Sequence, residues 1–254
     1  MLLAIGIGNT NTSLGVFDGE RLATHWRLTT ERSRTGDEWG VLTRNLFALA
    51  GLDFKSIDAI AIASVVPPLN FTLKRMAEVY FHLTPLFVDH ATDTGVPILY
   101  QPASDVGADR IVDAVAAITK YGAPCIVVDF GTATTFDAIA ANGDYVGGAI
   151  LPGIGISMDA LFAKAARLVK VDYVDPPAAI GKSTATALQS GLVYGFAGQV
   201  DGIVDAIRRE LGVDATAIAT GGLADLIAPH SRTIGKVDQF LTLDGLRIVW
   251  GRNL

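Results

Sequence analysis

The sequence predicts an α/β protein built twice on one plan, as two similar domains. Three observations predict it. Apolar runs of strand length alternate with helical patterns along the chain. The pattern then starts again near Cys125. Finally, Ile5-Gly6-Ile7-Gly8-Asn9-Thr10-Asn11-Thr12 lines up with Val128-Asp129-Phe130-Gly131-Thr132-Ala133-Thr134-Thr135. Both copies run from a buried-strand pattern into a glycine-led turn rich in hydroxyls and amides, then into a second strand. The next hairpin glycine comes 11 residues after Gly8 (Gly19) and 12 after Gly131 (Gly143). A hairpin alone needs only Asn-Gly or Asp-Gly at its turn, so the shared polar content asks for a further reason.

Taken in order, Leu2 to Ile7 and Ser13 to Phe17 read as strands, and Asp18-Gly19 as a hairpin turn before Arg21 to Leu28. A helical pattern from Asp37 to Ala50 stops at Gly51, a C-terminal capping signal. Ile57 to Val66 reads as a buried strand ended by Pro67-Pro68. A helix near Asn70 to Phe81, a short strand at Leu86 to Val88 and a loop from Ala91 to Ser104 follow. A further helix spans Asp109 to Tyr121. In the second half, Cys125 to Asp129, Ala133 to Ala140 and Tyr145 to Leu151 read as strands, with Asn142-Gly143 as the hairpin turn. Helices are expected near Ile156 to Leu168 and over Thr184 to Leu211, then a strand at Ala215 to Thr220 and an amphipathic tail from Leu243 to Trp250. The division expected is 1–115 and 116–254.

Composition narrows the function classes. Half of the 254 residues are hydrophobic and 18% are charged, as in compact globular chains. The net charge of -6 argues against nucleic acid or an acidic membrane surface as partner. An anionic small ligand is still compatible, because backbone N–H groups and helix N-termini hold phosphates whatever the net charge. Cys125 is the single cysteine and lies in an apolar run, so it reads as a buried thiol. No basic N-terminal region leads into an apolar core, and the apolar stretch from Ala59 to Val66 is too short to span a bilayer. A soluble, cytoplasmic protein is the expectation. His25, His82, His90 and His230 show no ligand spacing. Gly181-Lys182-Ser183-Thr184 mimics a P-loop, but Pro176 stands where that motif needs glycine.

The two glycine- and threonine-rich turns suit phosphate. Glycine lets the backbone approach closely, N–H and hydroxyl groups donate to the oxygens, and a carboxylate at the strand end can hold a cation. Their paired occurrence resembles the two phosphate loops of sugar kinases, actin and the heat-shock chaperone ATPases. Asp-Val-Gly-Ala-Asp-Arg at 105–110, Leu-Pro-Gly-Ile at 151–154, Ile-Gly-Lys-Ser-Thr at 180–184, Gln-Ser-Gly at 189–191 and Ala-Thr-Gly-Gly at 219–222 narrow this. Together, from Met1 to about Asp225, they resemble the type III pantothenate kinases. The resemblance implies a duplicated ribonuclease H-like (actin-like ATPase) fold around a nucleotide cleft. It also implies a homodimer that phosphorylates pantothenate with ATP, the first step towards coenzyme A. A monovalent cation (potassium or ammonium) and magnesium with ATP are the implied cofactors.

Carried over by position, Asp109 resembles the general base for the pantothenate hydroxyl; on spacing alone a helix cap is the better reading, and the Gly-Ala-Asp-Arg context reverses that preference. Arg110 suits the pantothenate carboxylate, with a surface ion pair as the plainer reading. Tyr100, Gly107, Ala108 and Thr184 match further substrate contacts, although Tyr100 by itself would be a packed aromatic. Gly6, Ile7, Gly8, Asn9, Thr10, Asn11, Thr12 and Ser13 match the first phosphate loop. Thr132 matches a nucleotide contact, and Gly221 and Gly222 the adenosine side; glycines after a strand also mark simple turns. Asp129 matches the monovalent-cation ligand. One departure stands out: the family pattern Asp-x-Gly-Asn-Thr has Gly6 in place of its aspartate. That departure raises the alternative of a catalytically impaired or regulatory homologue holding nucleotide or pantothenate. A sugar or acetate kinase on the same fold fits the substrate motifs less well.

Overall fold

A computed structural model describes residues 1–165, 168 and 170–254. Two five-stranded sheets organise it. The first contains β1 (Leu2–Ile7), β2 (Asn11–Asp18), β3 (Arg21–Thr29), β4 (Ala59–Ser64) and β5 (Leu86–Phe87), in the order β3-β2-β1-β4-β5. β1, β2 and β3 form an antiparallel meander, whereas β4 and β5 add in parallel. The expected hairpin glycine, Gly19, adopts φ +60°, which favours glycine there. Helix α1 (Gly36–Leu49) opens with a reciprocal capping box between Thr35 and Glu38, and Gly51 follows it in the left-handed region.

Helix α2 (Pro67–Met76) begins earlier than its apolar pattern suggests. The Pro67-Pro68 pair does not merely stop the strand; at the first helical positions proline brings a φ already suited to the helix. A π turn, Ala77–Phe81, continues it. The strand expected over 57–66 is correspondingly shorter, and a 3-10 turn, Phe54–Ser56, precedes it. Helix α3 (Ala108–Tyr121) matches the expected element. The first core gathers Leu3, Ile5, Trp39, Phe47, Ile60, Ile62 and Leu69, with Trp26 stacked on Phe47.

The second sheet repeats the plan. It contains β6 (Cys125–Phe130), β7 (Ala133–Ile139), β8 (Tyr145–Pro152), β9 (Thr216–Thr220) and β10 (Ile234–Val237). Read from its meander edge, the order is β8-β7-β6-β9-β10, equivalent to the first sheet. Registers agree as well: Gly6 pairs with Ser13 and Ala63, and Asp129 pairs with Thr135 and Thr220. Gly6 and Asp129 therefore hold equivalent places. Helices α4 (Ile154–Lys164), α5 (Thr184–Leu211) and α6 (Ala224–Ile227) complete this half. α4 ends before the expected Leu168, and Ala166 and Arg167 lie outside the described residues. Strand β10 and helix α6 had no clear signal in the sequence.

Helix α7 (Leu241–Arg252) closes the chain and buries Leu241, Leu243, Leu246 and Val249. Two compact units result: Met1–Val96, Tyr100–Ala116 and Leu241–Leu254 in one, Pro97–Leu99 and Ala117–Phe240 in the other. The tail, assigned by sequence to the second half, lies in the first unit. Its fit is specific. A side chain at Gly15 would collide with Leu243, and one at Gly245 would collide with the Val112 carbonyl of α3.

Candidate active site

In the first unit, β1 ends at Ile7 and the chain turns through Gly8, Asn9, Thr10 and Asn11 before β2. Gly8 N–H donates to the Asn11 carbonyl at 2.9 Å, closing the turn. Thr30 braces it from β3's end: its hydroxyl donates to the Gly8 carbonyl at 2.8 Å and lies 2.9 Å from the Thr12 hydroxyl, and its N–H donates to the Thr10 carbonyl at 2.9 Å. Arg32 Nη2 donates to Asn9 Oδ1 at 2.9 Å. Asn9 and Thr10 are exposed, whereas Ile7 and Thr12 are buried. Any ligand of this loop thus meets the Asn9 and Thr10 side chains and the turn's backbone. Gly6 is itself buried, with ordinary strand backbone, and a Cβ there would stand 3.3 Å from the Thr242 methyl of α7.

Asp109 sits in the first turn of α3, and its Oδ1 accepts the Arg110 N–H at 2.8 Å. Burial, the largest influence, pushes its carboxyl above the ordinary aspartate value, against the opposing pull of that N–H and of the Arg110 charge. A carboxylate that holds a proton more readily is a better base. Gly107 makes room for it, since a Cβ there would lie 2.6 Å from Asp109 Oδ1 and 3.2 Å from Val65 Cγ1. Val65 in turn donates its N–H to the Ile7 carbonyl at 3.0 Å. A contiguous path therefore runs from the Gly8 turn through Val65 and Gly107 to Asp109. Arg110 is only 8% exposed, so it does not lie on the surface.

A cavity of about 320 Å³ opens beside this path, lined by Ser64, Val65, Asn70, His90, Gly107 and Ala108 among others. Ser64, Val65 and Asn70 are not singled out by the sequence, which weighs His90 only as a metal ligand. The Pro67-Pro68 pair was the available signal, because a helix opening directly after a strand end carries its first residues to the sheet's active edge. Tyr100, partly buried, belongs to the same unit.

In the second unit the turn after β6 runs Gly131-Thr132, with Gly131 N–H donating to the Ala133 carbonyl at 3.0 Å. Asp129 stands across the ladder from Thr135 and Thr220. The Thr135 hydroxyl is buried and makes no hydrogen bond among the described residues. Gly221, at φ +90°, faces the Asp129 carboxylate so closely that any Cβ would strike Oδ1, so this glycine does more than end a strand. Gly222 is exposed beside it. Thr184 is the exposed first residue of α5, after the capping residue Ser183, whose side chain accepts the Thr186 N–H. Gly181-Lys182-Ser183-Thr184 is thus a helix start rather than a phosphate loop. Among the described residues no group of three or more His, Cys, Asp or Glu side chains is placed to hold a metal, and no helix is long and apolar enough to cross a membrane.

Comparison with known proteins adds a sequence profile, that of the type III pantothenate kinases, matching residues 2–206. A protein named type III pantothenate kinase from Myxococcus xanthus is 53% identical over 253 residues, covering 100% of this chain and 99% of its own length. One of the same name from an Anaeromyxobacter species (strain K) is 56% identical, with 100% of both chains covered. Among solved structures, a conserved putative Baf family transcriptional activator from Campylobacter jejuni aligns with TM-score 0.60 at 21% identity, covering 99% of this chain and 98% of its own. An activator of 2-hydroxyisocaproyl-CoA dehydratase from Clostridium difficile, with bound ADPNP, aligns with TM-score 0.54 at 12% identity, covering 97% and 92%. At these identities the structures speak for the fold alone, which is that of the actin-like ATPases and sugar kinases.

Proposed function

The chain belongs to the type III pantothenate kinase family, and from that premise we propose which of its residues carry the reaction. The enzyme transfers the γ-phosphoryl group of ATP to pantothenate, opening coenzyme A biosynthesis. Asp109 is the base. As the pantothenate primary hydroxyl oxygen bonds to the γ-phosphorus and the bond to the ADP oxygen breaks, Asp109 takes the hydroxyl proton. Phosphoryl transfer asks chiefly for positioning and charge stabilisation, so one carboxylate suffices. The observation carrying this reading is the enclosed Asp109 carboxyl, its basicity raised by burial, joined through Gly107 and Val65 to the Gly8 turn.

On the first unit, Gly6 to Ser13 contact the nucleotide, with Asn9, Thr10 and the turn backbone as donors. Gly107, Ala108, Arg110 and Tyr100 contact pantothenate, Arg110 being suited to its carboxylate. On the second unit, Thr132, Gly221 and Gly222 contact the nucleotide, and Thr184 is assigned to substrate on the family resemblance.

A monovalent cation is assigned to Asp129. The donor set fits: a carboxylate with the free Thr135 hydroxyl across the ladder offers the oxygen atoms a hard cation takes. Held there, such an ion would supply positive charge to offset that of the nucleotide. The divalent ion that accompanies ATP fits the first strand end less well, because Gly6 offers no carboxylate there. We place the enzyme in the cytoplasm, as suits a metabolic enzyme, and as a homodimer, the dimer supported by the exposed apolar Ile150, Ile156 and Leu161 on β8 and α4. Gly6 raised the alternative of a non-catalytic relative, and the full-length likeness to type III pantothenate kinases gives that alternative no support.

A coupled assay of pantothenate-dependent ADP release, with potassium replaced by sodium and magnesium titrated, tests the whole reading. Turnover that needs pantothenate and falls in sodium is expected. Absence of pantothenate-dependent turnover overturns the function, and indifference to the cation overturns the Asp129 assignment alone.

A further inference from the structure

We propose that Asn70 sets acceptor specificity, by accepting a hydrogen bond from a neutral donor of pantothenate, a hydroxyl or the amide N–H. The inference rests on the proposed function, with pantothenate in the cavity beside Gly107. Asn70 sits in the first turn of α2, and its amide oxygen is buried without a hydrogen-bond partner among the described residues. The same residue lines the cavity with Val65, Gly107 and Ala108. Neighbouring polar groups are turned elsewhere: the Ser64 hydroxyl accepts the Val66 N–H, and Asp89 accepts the N–H groups of Ala91 and Thr92. A buried acceptor left dry is costly, so a ligand that brings a donor to it is favoured.

The charge of the lining decides which end of the substrate arrives. Asp89 and Asp105 both border the cavity, which disfavours a carboxylate there. An acceptor oxygen also repels a carboxylate and attracts a hydroxyl or amide N–H. The substrate carboxylate therefore points away from Asn70. An analogue lacking the matching donor leaves the Asn70 oxygen unpaired and is rejected on that account.

Steady-state kinetics of the full chain and of Asn70→Ala tests this with four acceptors. They are pantothenate, its N-methyl amide analogue, its analogue without the secondary hydroxyl, and pantothenyl alcohol, which lacks the carboxylate. Asn70→Ala is expected to raise the pantothenate KM by roughly tenfold to a hundredfold, leaving the ATP KM unchanged. One donor-deficient analogue should be penalised similarly by the unaltered enzyme, with the penalty gone in the variant. Asn70→Asp, which keeps an acceptor oxygen in place, should keep the analogue ranking. Asn70→Ser, which withdraws the oxygen but stays polar, replaces the alanine variant if that one does not fold. An unchanged pantothenate KM, a penalty that survives in Asn70→Ala, or a changed ranking of pantothenyl alcohol alone would overturn the inference. Absence of pantothenate-dependent turnover in the unaltered chain would overturn the functional reading and this inference with it.

Discussion

Asp109 carries opposite consequences for rate and stability. Its folded carboxyl binds a proton more tightly than the ordinary value of 3.8, chiefly through burial. The folded state therefore holds more protons than the unfolded chain across the window from 3.8 up to the raised value, and stability falls as pH rises through it. Above that window the ionised group remains a net cost. Asp109→Asn keeps size and acceptor, so turnover should drop about a hundredfold to ten-thousandfold while the melting temperature at neutral pH rises. The gain should vanish below pH 3.8, and thermal melts at both pH values check the sign. The unaltered enzyme's acid limb should lie above 3.8 for the same reason. Gly107→Ala puts a methyl 2.6 Å from Asp109 Oδ1, and the carboxyl is the part free to yield. A displacement of about 1 Å costs on the order of a hundredfold, so kcat should fall with little change in melting temperature. Asp109 stood out as a candidate in the sequence because Gly-Ala-Asp-Arg is a local motif. Asn70 was not, since nothing near it in the chain reveals an acceptor facing a cavity made by β4, α2 and the residues before α3.

Among the elements, hairpins and amphipathic helices were readable because period and turn chemistry are local. The brace on the first turn was not, because it joins residues some 20 positions apart through side chains. Thr30 is its centre, bonding Gly8 and Thr12, and Thr12 is fully buried. Thr30→Val keeps the shape and removes the hydroxyl, which strands the Thr12 hydroxyl at a cost of about 1–3 kcal/mol. A lower melting temperature and a raised ATP KM are expected, with the pantothenate KM held. An unaltered ATP KM would remove this turn from the nucleotide site. Arg32→Ala breaks one exposed bond to Asn9 and should do less.

Across the whole molecule, the duplication was readable from two alike turns, and the sheets bear it out by topology and register. The tail's placement was hidden, because an amphipathic pattern says that α7 packs but not on which half. That placement now bears on the point where the repeat breaks. Asp129 in the second sheet has Gly6 as its counterpart, and Thr242 of α7 leaves Gly6 little space, its methyl 3.3 Å from an added Cβ. Gly6→Asp meets no forbidden backbone, but it presses on that methyl and introduces a charge at a buried site. The single variant should therefore melt lower than the parent in the absence of divalent ions. Thr242→Ser removes the methyl, so Gly6→Asp with Thr242→Ser should recover part of the loss. A divalent cation neutralises a buried carboxylate, so magnesium with ATP should raise the melting temperature of the double variant more than that of the parent. The magnesium concentration for half-maximal turnover should fall in step, because a carboxylate at this strand end would offer the ion an oxygen ligand. Equal magnesium shifts in parent and double variant would mean that the first strand end takes no metal even when a ligand is supplied. The Gly8 turn would then act through its backbone and the Asn9 and Thr10 side chains alone.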